Sequence, residues 1–122
     1  MGPVKTRYDY PRQFRLRRSA DISGVFRSGK RVQGRFMDVI VAKSVGAEPR
    51  LAVIVAKRGH SAVERNKVRR RLREIVRTTW LPAQRMGGGG WDLIVRAGPE
   101  AYDASAASLL ADFERCTREV RC

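Results

Sequence analysis

The chain has 122 residues, 26 of them Lys or Arg against 12 Asp or Glu, for a formal net charge of +14. That length suits one domain able to bury a core without disulfides or metal, and shares of 43% apolar and 31% charged residues exclude a disordered chain. No apolar run approaches the roughly 18 residues of a membrane span, and no apolar segment follows the basic N-terminal stretch, as a secretory leader requires.

Residues 1–18, with Pro3 and Pro11 and no helical period, read as an extended basic arm; residues 19–122 read as a single domain. Ser19 is a candidate N-cap. Ile22, Val25 and Phe26 then make the apolar stripe of a first helix, and Gly29 is placed for a C′ stop. Residues 36–42 form a mostly apolar strand, extendable upstream through Val32, and residues 46–49 turn the chain. Residues 51–56 are short and apolar, the pattern of a central buried strand. A second helix opens on the clearest local signal, a capping box of Ser61 and Glu64. It is expected over residues 62–80, with Pro82 just beyond its end. The glycine run 87–90 reads as a tether, because no Lys-Ser/Thr pair follows it as in a phosphate loop. Residues 91–97 make a further apolar strand, ended by Gly98 and Pro99. Residues 103–120 close the chain as an amphipathic helix, with Leu109, Leu110, Phe113, Cys116 or Thr117, and Val120 on one side. The order helix, two or three strands, helix, strand, helix gives an α+β fold, a small mixed sheet with helices packed on it.

Few groups are available for protein-based catalysis. Cys116 and Cys122 lie at the C-terminal end and cannot staple the body of the fold, so a reducing cytoplasm is the expected setting. His60 is the only histidine and no Cys-x-x-Cys pair exists, so neither a zinc site nor the usual Ser-His-Asp or Cys-His nucleophile is legible.

The charge is clustered. Residues 1–35 hold ten cations and two anions, and residues 57–77 hold nine cations and two anions. Clustered positive charge is the footprint of a polyanion binder, with nucleic acid the leading class. On a helical wheel Val68, Leu72, Ile75, Val76 and Thr79 fall within about 100° of arc, a compact face for the sheet. Asn66, Arg70, Arg73 and Arg77 fall within about 60° on the opposite side, flanked by Arg65 and Arg69 and by Lys67 and Arg71. A merely solvated face would be mixed in sign. Seven cations here have only Glu64 and Glu74 to pair with, and like charges one turn apart repel. A phosphate partner relieves that repulsion, and the arginine fork suits phosphate and base edges alike.

The run from Val63 to Glu74, Val-Glu-Arg-Asn-Lys-Val-Arg-Arg-Arg-Leu-Arg-Glu, resembles the Arg-Asn-Arg signature of the bacterial ribonuclease P protein subunit. Residues 15–21, residues 25–29, the strand end at residues 55–58 and the strand at residues 91–97 are similar to the family's other segments, in the same order. The resemblance spans roughly residues 14–120. It implies an α-β sandwich like the second domain of ribosomal protein S5, with a left-handed βαβ crossover, an exception to the usual right-handed rule. It implies a protein that supplies no catalytic residue. Its partner is a large catalytic RNA that uses Mg2+, and their complex removes the 5′ leader from precursor tRNA. A monomer in a one-protein, one-RNA complex is implied, with no membrane partner.

Residue by residue, the resemblance assigns Arg65, Asn66, Lys67, Arg69, Arg70 and Arg73 to catalytic-RNA binding, with Arg77 continuing the stripe. Ile22, Phe26, Ile40 and Arg58, with Lys57 beside it, are assigned to the leader cleft between the first helix and the sheet. Arg15, Arg17 and Arg18 are assigned as additional RNA contacts. A basic groove with aromatic platforms is how single strands are held, although Ile22, Phe26 and Ile40 fit plain core packing equally well. Lys67 stands where the signature has Arg, and His60-Ser61 where it has Gly-Asn. Ile22 and Ile40 stand where many members have aromatics. Asp38 shares a strand face with Ile40 and is expected to pair with Arg58 or Lys57, the alternative being that it helps to hold a metal ion. Two other readings compete: a general structured-RNA-binding or ribosomal-protein-like module, and a DNA-binding helix, against which a strand, not a helix-turn, precedes the basic helix.

Overall fold

The computed structural model describes residues 15, 16, 18–43, 49–55, 61–87 and 90–121. Helix α1 is Ser19–Ser28; strands β1, β2 and β3 are Lys30–Gln33, Met37–Lys43 and Arg50–Val55. Helix α2 is Ala62–Ile75, followed by a π turn, Val76–Trp80, and helix α3, Leu81–Gly87. Strand β4 is Trp91–Ala97, and a 3₁₀ turn, Pro99–Tyr102, leads to α4, Ala106–Arg121. The sheet order is β1-β2-β4-β3. β2 runs antiparallel to β1 and β4, whereas β3 and β4 are parallel and joined through α2 and α3. The expected α+β architecture is the one observed.

Strand alternation divides the core in two. Met37, Val39, Leu51, Val55, Leu93 and Val95 face the side covered by α2, the π turn and α4, where Val68, Leu72, Val76, Trp80, Leu109, Phe113 and Cys116 meet them. Ile40, Ala42, Ala52 and Ile94 face the other side, covered by Val25 of α1 and by Leu16. Burying these two apolar layers drives the fold, and α1 alone covers the second only in part.

The residues 51–56 pattern does not mark a central strand. β3 lies at the sheet edge and is apolar because both its faces are covered. Arg15 bridges to Leu51 along that edge, and Leu16 N donates to Leu51 O at 2.7 Å, which protects it. Pro82 does not stop the second helix. Proline removes the bond to the carbonyl four residues back and crowds it; here the chain widens into the π turn first, with Leu81 N donating to Val76 O. The extra residue rotates the wheel, so Thr79, expected inside, is exposed. Ser19 is the first helical residue, not the cap, and Arg18 at the cap position makes no side-chain capping bond. Gly29 is extended (φ −79°) and is required by space: a Cβ there would lie 2.5 Å from Val25 O and 2.8 Å from Ile40 Cγ2. The last helix starts later than expected, capped by Ser105, whose Oγ accepts from Ser108 N at 3.1 Å.

Candidate nucleic-acid interface

The capping box at the start of α2 is present in both halves: Glu64 N donates to Ser61 Oγ at 3.1 Å, and Ser61 N to Glu64 Oε1 at 3.0 Å. It fixes where the helix starts, and hence its rotation on the sheet. Val68, Leu72 and Val76 are buried, so Asn66, Lys67, Arg70 and Arg73 are exposed on the far side. Arg65, Arg69 and Arg77 are half-buried along its flanks. Asn66 acts first on its neighbour: its Oδ1 accepts from Arg69 Nη1 at 2.6 Å, holding that guanidinium along the helix. Arg77 is engaged by Glu74 through two hydrogen bonds. Arg71 turns away from the stripe and donates to Ala104 O at 3.4 Å, tying α2 to the turn before α4.

The second sheet face holds a different chemistry. Register places Gln33, Asp38, Arg96 and Ile54 in one row, Arg31, Ile40, Ile94 and Ala52 in the next, and Ala42, Asp92 and Arg50 in the third. Helix α1 covers the apolar row with Ile22, Val25 and Phe26. In the row beyond it, Asp38 Oδ2 accepts from Arg31 Nη2 and Arg96 Nη2, each at 2.7 Å. Burial alone pushes the Asp38 carboxyl up, but the hydrogen bonds and charges of Arg96 and Arg31 outweigh it and hold the group below its usual value. The Arg96 guanidinium also lies 5.8 Å from the centre of the Phe26 ring. The third row is anchored by a bidentate pair: Arg50 Nε and Nη2 donate to the two Asp92 oxygens at 3.0 and 2.9 Å. Arg50 Nη1 also reaches Asp21 of α1 at 3.3 Å. The hydrogen bond to Asp92 raises the Arg50 pKa, followed by smaller charge effects of Asp92 and Asp21 set against burial.

Of the residues assigned to the leader cleft, Ile22 and Phe26 are half-buried, and Ile40, 1% exposed beneath α1, belongs to the core. Lys57 and Arg58 lie outside the described residues, as do Arg17 and His60. Asp38 pairs with Arg31 and Arg96, because strand register puts Arg96 directly opposite it and Arg31 on the diagonal, two residues along β1 from its partner Gln33; the expected partners Lys57 and Arg58 lie outside the described residues. Arg31 and Arg96, 50% and 41% exposed, are cations beside α1 that sequence reading missed. The signal for Arg96 was available: it lies two residues after Ile94 on an apolar strand, on the same face. Arg15 and Arg18 are exposed, at the β3 edge and the start of α1.

Among the described residues no group of three or more His, Cys, Asp or Glu is arranged to hold a metal. Burial, then the nearby Asp112 carboxylate, pushes the Cys116 thiol up to about 11, leaving a packing residue rather than a nucleophile. Asp112 itself accepts from Arg35 N at 3.2 Å and Phe36 N at 2.8 Å, so it secures the β1–β2 turn.

The family model described as Ribonuclease P matches residues 10–121. The chain belongs to the ribonuclease P protein family. The ribonuclease P protein component of Acidothermus cellulolyticus is 40% identical over 109 residues, covering 86% of each chain. That of Kocuria rhizophila is 42% identical over 103 residues, 84% of this chain and 88% of the relative. Solved ribonuclease P proteins share the fold: the protein of Thermotoga maritima superposes with a TM-score of 0.69 at 24% identity, over 87% of this chain and 96% of that one. A Staphylococcus aureus ribonuclease P protein mutant gives 0.74 at 23%, over 89% of each chain. As a ribonuclease P protein, the chain is the accessory subunit of an endoribonuclease of tRNA 5′ processing, and its partner is the ribonuclease P RNA.

Proposed function

We propose that the exposed face of α2 docks on the catalytic RNA, while the sheet face beside α1 guides the single-stranded 5′ leader of precursor tRNA. Hydrolysis belongs to the RNA and its Mg2+ ions; the protein contributes affinity and position. The observation that carries this reading is the cationic stripe of Lys67, Arg70 and Arg73, exposed on a helix whose rotation is fixed by its cap and core. Phosphates are the partner that stripe suits best. The leader assignment rests on Phe26, Arg31 and Arg96 beside an apolar row, the mixture of platform and charge that suits a single strand. One protein per RNA, in the cytoplasm, is the simplest assembly, since each surface serves a different RNA.

The test is cleavage of a precursor tRNA by the matching ribonuclease P RNA at low magnesium, with and without the protein. Strong stimulation, with no cleavage by the protein alone, is expected. No stimulation, with the protein folded and the RNA active at high magnesium, would favour a general RNA-binding module.

A further inference from the structure

The two tryptophans of the chain line one groove that neither surface above uses. It encloses about 580 Å³ where β1 and β4 begin and β2 ends, walled by α3 and the end of α4. Trp80 is buried in its wall, whereas Trp91 is 40% exposed, unusual for so large an apolar side chain. Lys43 is the direct cross-strand neighbour of Trp91, and Lys30 pairs with Val41 on the next strand. Strand alternation puts Lys30, Lys43 and Trp91 on the same sheet face, and both lysines are exposed.

Gln84 adds an amide to the lining, and Ser28 and Thr117 add hydroxyls whose protons are given to Gly24 O and Glu114 O, which leaves each oxygen as an acceptor. None of the described lining residues is acidic. An exposed indole at one end of a row that continues through Lys43 to Lys30 on the neighbouring strands, with amide and hydroxyl groups and no carboxylate among the described lining residues, matches an unpaired nucleotide. The base has a π face for the indole and the phosphate has charge for the lysines. An acidic peptide would use the lysines and leave the indole without a partner.

We propose that this groove is a third RNA contact, taking one unpaired nucleotide with its base stacked on Trp91 and its phosphate held by Lys30 and Lys43. The inference shares with the proposed function only the premise that the protein binds RNA; it names a surface that reading does not use. Because both tryptophans line the groove, intrinsic fluorescence reports on it directly.

The experiment titrates the full chain with fluorescein-labelled hexaadenylate for anisotropy, and with unlabelled hexaadenylate for tryptophan emission. Saturable quenching is expected. Trp91→Leu should remove most of the quench and weaken the hexaadenylate contact about tenfold, and Trp91→Phe should restore most of the affinity. Lys30→Ala with Lys43→Ala should raise the quenching midpoint and flatten its salt dependence by about one unit of log-log slope. Circular dichroism checks that each variant is folded, and Trp91→Phe keeps the test open if Trp91→Leu is not. Anisotropy that reports binding while tryptophan emission stays unchanged would overturn the groove and leave the wider RNA reading intact. Equal quenching by hexaglutamate would overturn it in favour of an acidic peptide site. Failure to bind either hexaadenylate or the ribonuclease P RNA would remove the shared premise.

Discussion

The face of α2 and the sheet face under α1 both carry arginines, but the balance of charge around them differs. Residues 62–77 carry seven cations and two carboxylates, and Asn66, Lys67, Arg70 and Arg73 point into solvent. On the sheet face Arg31, Arg50 and Arg96 are matched by Asp38, Asp92 and Asp21, at 2.7 to 3.3 Å. On the proposed reading the first surface gains by releasing counterions from phosphate. The second is already neutralised within itself, and offers shape, an aromatic ring and oriented donors. Both surfaces carry arginine, but only the sheet face carries a matching number of carboxylates.

The largest expected effect comes from breaking the neutral surface from within. Arg50→Ala leaves the buried Asp92 carboxylate unpaired and frees Asp21 of α1, and should cost about 3 kcal/mol in a urea denaturation. Next is removal of charge from the exposed surface. Lys67→Ala, Arg70→Ala and Arg73→Ala together should weaken binding to ribonuclease P RNA on the order of 100-fold and reduce the salt slope by about 2 to 3 units, with the fold retained by circular dichroism. An equal loss of slope from changes on the sheet face would erase the contrast. Phe26→Ala should weaken leader-dependent binding of precursor tRNA by about tenfold and leave binding to the catalytic RNA alone unaffected.

The smallest effect sharpens the comparison. Asp38→Asn removes the carboxylate that neutralises Arg31 and Arg96, so leader affinity should rise a few-fold, with a salt slope steeper by about 0.7. The same carboxyl titrates below its usual value in the folded protein. Its contribution to stability is therefore complete above about pH 4 and is lost as pH falls through the folded pKa. Denaturation midpoints measured from pH 6 to pH 2 should fall less steeply in Asp38→Asn than in the parent.

What could be read from the sequence was whatever depended on near neighbours. The capping box at Ser61 and Glu64, the apolar side of α2 through Val76, and the alternation of β4 all rest on contacts a few residues apart. The misreadings have long-range causes. β3 looked central because it is apolar, yet it is an edge strand covered on both faces and bridged by Arg15. Pro82 looked like a stop, but the π turn before it lets the chain continue, because Trp80 and Leu81 bury their side chains in the same core. The partners of Asp38, the Arg50–Asp92 pair and the hold of Asp112 on the β1–β2 turn join residues 7, 58, 42 and 76 or 77 positions apart. No local pattern encodes such pairings. Three of the five leader assignments, Ile22, Phe26 and Ile40, were likewise ambiguous in principle, since apolar spacing serves core and cleft equally; Ile40 is buried in the core, and Phe26 lies at its margin.

The division of labour between the two surfaces is tested most directly by the affinity of the reconstituted holoenzyme for precursor tRNA with and without its 5′ leader. It would be measured for the parent protein, for Phe26→Ala, and for the triple α2 variant at protein concentrations that saturate the RNA. Phe26→Ala should lose most of the affinity gained from the leader and leave leaderless tRNA unchanged, whereas the saturated α2 variant should keep the leader's increment. Equal losses for both substrates in Phe26→Ala, or loss of the leader's increment in the α2 variant, would contradict the assignment of the two faces to different RNAs.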